Sequence, residues 1–347
     1  MRIFVTGVNG QLGFDCVYEL IGRGHEVIGS DVAGEFAGEI PGGLSGEVQT
    51  KLLESSKEVQ GKLSSESSRE IPGNLSADNY PTSERVFSYV SLDITDPAAT
   101  KKAITETRPD AIIHCASWTA VDAAEDEENK PKVRAVNVNG TRYLAEAAKA
   151  VDAAMLYIST DYVFGGLGTR PWQPDDTGFA PLNYYGQTKR EGEQNVSSIL
   201  DKFFVVRISW AFGRNGKNFI RTMINVGKTH DTVRVVDDQI GTPTYTLDLA
   251  RLLADMIETD RYGFYHATNS ESTPGGYISW ADLAEETYRA AGMDVKVIRV
   301  SSEEYGLSKA ARPKNSRLEK SKLNDSGFMP LPDWKDAVGR YVRELLE

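Results

Sequence analysis

Tyr185 and Lys189 lie four positions apart in the stretch Tyr185-Gly186-Gln187-Thr188-Lys189. On a helix, positions i and i+4 share a face, so phenol and ammonium become neighbours. A cation beside a phenol favours the phenolate and lowers a pKa that starts near about 10. Such a tyrosine can give a proton to a carbonyl oxygen as hydride reaches the carbonyl carbon. The same lysine can hold the ribose of a nicotinamide coenzyme. Upstream, an apolar run over 154–159 opens into Ser159-Thr160-Asp161-Tyr162-Val163-Phe164. Open α/β sheets bind ligands at the C-terminal ends of their strands. Thr160 is therefore placed to hydrogen-bond the same oxygen.

Hydride chemistry needs a dinucleotide, and the N-terminus carries a turn suited to one. Gly7, Gly10 and Gly13 recur at G-x-x-G-x-x-G spacing within Thr6-Gly7-Val8-Asn9-Gly10-Gln11-Leu12-Gly13. Gly7 permits a tight turn, Gly10 lets backbone approach a pyrophosphate, and Gly13 lets a helix pack close to the sheet. The helix that opens at Gln11 and Leu12 offers free N–H groups to phosphates. Asp31 ends the next strand, where a carboxylate can bind ribose hydroxyls, a geometry that favours NADH. Asp93 and Ile94 end a later strand, where the adenine ring would lie. Cys115, Ala116 and Ser117 stand at the end of the strand after that.

The positioning elements follow from periodicity. Residues 2–6 and 26–30 read as buried strands around a helix over 12–23, a βαβ unit that implies a parallel sheet. Strands at 86–92, 111–116, 154–159 and 203–208 alternate with helices at 97–107, 134–151 and 183–199. The pattern predicts an α/β fold with a Rossmann-type doubly wound parallel sheet and a smaller α/β C-terminal substrate domain. We expect residues 1–206 plus 243–262 in the NAD(P)-binding domain, and 207–242 plus 263–347 in the substrate-binding domain. Residues 32–88 interrupt the rhythm with Ser, Gly and Glu, and the stretch 39–47 returns in near copy at 70–78. We read them as a surface insertion, with Val48, Leu52, Val59 and Leu63 on one helical face.

Composition narrows the function classes. The 347 residues carry 39 Lys and Arg against 50 Asp and Glu, a formal charge of −11. Such a surface repels nucleic acid. Two cysteines exclude a disulfide framework and point to a reduced compartment, and the four histidines lack metal-ligand spacing, so no metal site is expected. The first residues already form a strand, and no run of about 18 apolar residues occurs. The expected location is the cytoplasm, with no membrane partner.

Further motifs lie outside the coenzyme turn: Thr119-Ala120-Val121-Asp122, Pro181-Leu182-Asn183-Tyr184-Tyr185, Arg207-Ile208-Ser209-Trp210, Asp238-Gln239-Ile240-Gly241-Thr242-Pro243, Arg312-Pro313-Lys314-Asn315-Ser316-Arg317-Leu318 and Leu331-Pro332-Asp333-Trp334. With the turn and the Tyr–Lys pair, they resemble the extended short-chain dehydrogenase/reductase family, most specifically its dTDP-4-dehydrorhamnose reductases. The resemblance covers nearly all of the chain outside 32–88.

It implies reduction of a C4 ketone on a dTDP-linked 6-deoxyhexulose. Tyr185 would be the general acid, Lys189 its tuner and Thr160 the third member. Thr119, Val121, Asp161 and Trp210 would meet the sugar or nicotinamide, and Cys115, Ala116 and Ser117 would line the coenzyme. Arg207, Gln239 and Arg312 would serve the nucleotide end, where an arginine fork suits a diphosphate. Their alternative role is in contacts between domains. The family uses NADPH, sometimes NADH. Some members form homodimers and bind Mg²⁺ through glutamates that the motifs do not place here. Two competing readings stay open: another sugar-nucleotide epimerase or dehydratase of the family, and a non-catalytic regulatory subunit of the methionine adenosyltransferase type.

Overall fold

The computed structural model describes residues 1–38, 40, 87–273 and 275–347. The internal duplication and the amphipathic helix read between its copies lie outside the described residues, apart from Ile40.

Seven strands form one parallel sheet: β1 (Arg2–Thr6), β2 (Glu26–Asp31), β3 (Phe87–Ser91), β4 (Ala111–His114), β5 (Ala154–Thr160), β6 (Phe203–Ile208) and β11 (Gly263–His266). Their order is β11-β6-β5-β4-β1-β2-β3. The direction of winding reverses between β1 and β4, so a crevice opens at the C-terminal ends of those two strands.

Alternation along β1 shows why helices cover both faces. Ile3 and Val5 pack with Leu12, Cys16, Val17 and Leu20 of α1 (Gln11–Gly22) and with Leu249 and Leu253 of α7 (Thr246–Ile257). Phe4 points the other way. It joins Ile104 of α2 (Pro97–Thr107), Leu144 and Ala148 of α4 (Thr141–Ala150) and Val196 of α5 (Tyr184–Ile199). Strands buried on both sides read as continuous apolar runs, which is why these were visible in the sequence.

Among the described residues, four two-stranded pairings accompany the main sheet. They join β7 (Ala211–Phe212) to β10 (Thr244–Tyr245), β8 (Thr232–Val236) to β14 (Lys296–Val300), β9 (Ile240–Gly241) to β13 (Ile278–Ser279), and β12 (Asn269–Ser270) to β15 (Leu331–Asp333). A separate core forms here from Phe212, Ile220, Ile224, Tyr245, Leu283, Trp334, Val338 and Tyr341. It draws on α6 (Phe219–Gly227), α8 (Trp280–Ala291) and the C-terminal helix Trp334–Leu346.

Two expectations change. The strand β11, placed by sequence in the substrate-binding part, pairs with β6 from Gly263↔Phe204 to His266↔Arg207 and so belongs to the large sheet. The helix expected over 134–151 is three segments: α3 (Lys130–Arg134), a π-helical turn Ala135–Gly140, and α4. π-Turns inside helices frequently accompany functional sites, and this one carries the buried Asn137.

Candidate active site

Helix α5 brings the catalytic candidates to the crevice. Asn183 caps it by accepting from the Gly186 amide at 2.8 Å. The Glu125 carboxylate accepts from the Tyr184 amide at 2.7 Å. Both acceptors satisfy amides at the positive end of the helix. Tyr185 then stands in the first turn, beside the C-terminal end of β5, where Thr160 lies. The Thr160 hydroxyl donates to Asp161 Oδ1 at 3.0 Å and accepts from the Tyr162 amide at 3.2 Å. The Tyr162 ring meets the Tyr185 ring edge-on at 5.6 Å.

The electrostatics differ from the expected tuning. Burial, reinforced by the nearby Asp161 carboxylate, pushes the Tyr185 phenol up; hydrogen bonding with Thr160 opposes this. Lys189 does not lower it. Its ammonium donates to Ile158 O at 2.7 Å and lies 4.1 Å from the centre of the Tyr157 ring. Burial brings that ammonium down to about 7. A phenol is protonated at neutral pH without any shift, so this one can donate, and its upward shift makes it a weaker acid than an ordinary tyrosine. Asp161 is buried, and burial moves its carboxyl up to about 6, opposed by the nearby Ser316 and Thr160 hydroxyls. Its Oδ2 has no hydrogen-bond partner.

The glycine turn fits a dinucleotide. Gly7 adopts φ +69°, and a Cβ there would lie 2.7 Å from the Ala116 nitrogen. A Cβ on Gly13 would meet Gly7 O at 2.2 Å. The turn is thus pressed against the end of β4, beside Cys115, Ala116 and Ser117. Helix α1 has no side-chain cap and no acid in its first turn, so its first amides remain available to an anion. Leu12 is buried in the core behind them. Asp31 accepts from the Asn9 amide at 3.0 Å and the Val32 amide at 2.8 Å. Asn9 donates to Glu35 O and accepts from the Ala37 amide. The start of the insertion therefore rests on Asn9 of the glycine turn. Asp93 is exposed and accepts from Thr95, whereas Ile94 is buried against Gly140.

The candidates for the substrate divide sharply. Trp210 is half-buried, has φ +50°, and stacks on Trp280 with ring centres 4.1 Å apart. Gly241 fits between Trp210 and Ser316, because a Cβ there would lie 3.1 Å and 2.9 Å from their side chains. Trp210, Ser316 and Asp161 are thereby linked across the crevice. Thr119 is exposed and Val121 half-buried in the loop after β4. Arg312 donates to Asp122 Oδ2 at 2.5 Å and to the Tyr162 hydroxyl at 3.1 Å, which brings it into the same mouth. Gln239 is buried and donates to Ser302 at 2.9 Å.

Arg207 does not reach the crevice. It is 1 % exposed, gripped by Glu193 at 2.7 and 3.0 Å, and bonded to Pro174 O and His266. The ring of Phe164 lies 5.0 Å away. The buried position on β6 leaves no approach for a diphosphate, and because Glu193 lies on α5 and His266 on β11, the contact is inside the large sheet layer and is not the expected contact between domains.

Sequence reasoning missed several supporting residues. Asn137 accepts from Ser117 and the Trp118 amide and donates to Thr188, tying the loop after β4 to α5. Asp122 holds Arg312 and the Ala310 amide. Ser316 faces Asp161. The Asp122 and Ser316 positions lie within motifs that sequence singled out, but Asn137 had no signal beyond its helix. Among the described residues, no group of three or more His, Cys, Asp or Glu side chains is placed to hold a metal ion.

Relatives match this arrangement along most of the chain. A dTDP-4-dehydrorhamnose reductase from Streptomyces griseus is 44% identical over 254 residues, covering 71% of this chain and 81% of its own. A crystal structure of a dTDP-4-dehydrorhamnose reductase from Clostridium acetobutylicum superposes with a TM-score of 0.79 at 34% identity, covering 100% of both chains. The enzyme of the same name from Bacillus anthracis, solved in complex with NADP, gives 0.76 at 32% identity, covering 99% of each. The family model described as RmlD substrate binding domain matches residues 1–347, and the chain belongs to that family.

Proposed function

We propose that this chain reduces the C4 ketone of dTDP-4-dehydro-L-rhamnose with NADPH to give dTDP-L-rhamnose, a precursor of cell-surface polysaccharide. NADH is the alternative coenzyme. The names of the relatives support the substrate, and the NADP complex of the Bacillus anthracis enzyme supports the coenzyme. The observation that carries the reading is the meeting of Tyr185 and Thr160 beside the end of β5, in the crevice that also holds the glycine turn.

The bound coenzyme supplies a hydride to C4. Tyr185 gives its phenolic proton to the ketone oxygen, so the carbonyl gains one hydride and one proton. Thr160 orients that oxygen. Lys189 holds the ribose on the nicotinamide side. Asp161 and Trp210 face the sugar, with Thr119 and Val121 beside it, while Arg312 and Gln239 serve the nucleotide end. The turn at Gly7–Gly13 holds the pyrophosphate with Asn9, Gln11 and Leu12. Asp31, Asp93 and Ile94 flank the adenosine, and Cys115, Ala116 and Ser117 line the remainder. We assign residues 1–206, 243–262 and β11 to the coenzyme-binding part, and most of the remaining chain to the substrate-binding part. We also propose a cytoplasmic enzyme that forms a homodimer; among the described residues no helix is long and apolar enough to cross a membrane.

The test mixes purified protein with the dTDP-4-keto-6-deoxyhexulose and NADPH and follows absorbance at the nicotinamide band. The absorbance should fall only when the sugar nucleotide is present. No oxidation with any keto-sugar nucleotide, together with a stable protein partner, would instead favour a regulatory subunit.

A further inference from the structure

The loop 213–218 belongs to the C-terminal half, between β7 and α6, yet it is fastened to the phosphate turn. Asn215 Nδ2 donates to Asn9 O at 2.8 Å. Arg214 donates to the buried Asp15 of α1 at 2.9 Å, and Thr246 donates to the other oxygen of Asp15 at 2.6 Å. A Cβ on Gly216 would lie 3.5 Å from Gln11 Cγ. Beside it, Asn218 Nδ2 donates to Gln11 Oε1 at 3.1 Å.

That last bond has a fixed direction. Asn218 is the N-cap of α6, and its Oδ1 accepts from the Arg221 amide at 3.0 Å. A backbone N–H can only donate, so the Asn218 amide cannot be reversed without losing the cap. Its two Nδ2 hydrogens are shared among three acceptors, Gln11 Oε1, Gly213 O and the Tyr341 hydroxyl, so one N–H is bifurcated. A donor therefore faces Gln11, which must answer with its carbonyl oxygen. What remains on Gln11 is its Nε2 group, two N–H donors at the first position of α1, beside uncapped amides. Donors there attract a pyrophosphate; a carbonyl oxygen would repel it.

We propose that Asn218 is a positioning residue of the coenzyme site, holding the Gln11 amide with its N–H groups toward the phosphates. This rests on the reading that the turn binds a dinucleotide. It makes coenzyme affinity depend on a residue 207 positions from the turn in sequence.

Asn218→Asp in the full chain tests it. The carboxylate keeps the cap on α6 but offers oxygen to Gln11, which then turns its own oxygen toward the phosphates. Fluorescence titration with NADPH, without sugar nucleotide, should give a Kd about tenfold or more above wild type, the size expected for losing a hydrogen bond to a charged group. The Kd for dTDP should stay within about twofold. In a Gln11→Ala background the same substitution should change the NADPH Kd by less than about twofold, because its effect runs through Gln11. Asn218→Ser, which keeps the cap and adds no charge, should weaken NADPH binding in the same direction. Wild-type NADPH affinity in both variants overturns the proposal, and so does an equal loss with Gln11 absent. A wild-type chain that binds no NADPH removes the coenzyme reading, and the proposal with it.

Discussion

Glu193 and Asp161 are both buried beside α5, and their surroundings are opposite. Glu193 accepts from both ends of the Arg207 fork, from Ser159 at 2.6 Å and from Arg190 at 2.9 Å. Asp161 accepts from Thr160 on one oxygen, and its other oxygen has no partner. The saturated carboxylate locks α5 to β5 and β6. The unsaturated one faces Tyr185 and keeps hydrogen-bonding capacity for a ligand. A buried charge by itself thus says little about function; its unmet valence says more.

Arg207→Met should break the inner side hardest. Glu193 would stay buried with its main counter-charge gone, a loss of about 3–5 kcal/mol. Urea unfolding should show the drop, while kcat of the molecules that remain folded should stay within a few-fold of wild type. Unchanged stability would mean that the pair is not a structural lock.

Asp161→Asn should act more gently and with the opposite sign. The folded-state carboxyl sits near 6, above its ordinary value. The stability tied to its neutral form is complete at low pH and is lost as pH rises through about 6. Asparagine stays neutral throughout. The variant should be more stable than wild type at pH about 8, by on the order of 1–3 kcal/mol, and the gap should close by pH about 4. A gap that does not vary with pH would place the carboxyl in water.

Local patterns revealed the fold because the buried strands announce themselves. Arg2–Thr6 and Ala111–His114 are apolar runs, and the glycines of the turn are needed where Cβ atoms would collide with backbone. Helical spacing also put Tyr185 and Lys189 on one helix, and both lie on α5. What stayed hidden depends on distant partners. Glu193 meets Arg207 across a helix–strand contact that no spacing announces. Arg312 finds Asp122 at a separation of 190 residues. The short run Gly263–His266 carries no mark of the sheet it joins. The direction of the Tyr185 shift was also misjudged, because i,i+4 geometry says nothing about burial or about the Ile158 carbonyl that takes the lysine's proton donor. Asn137 owes its contacts to a π-turn that sequence read as ordinary helix.

The account turns on the Tyr185 phenol as the proton source. The direct measurement is kcat of Tyr185→Phe with the dTDP-4-keto-6-deoxyhexulose, alongside the Kd for NADPH. The hydroxyl is lost while the ring and its packing remain. We expect kcat to fall about hundredfold or more, as removal of a general acid does, with NADPH affinity within about threefold of wild type. Turnover at the wild-type rate would contradict it.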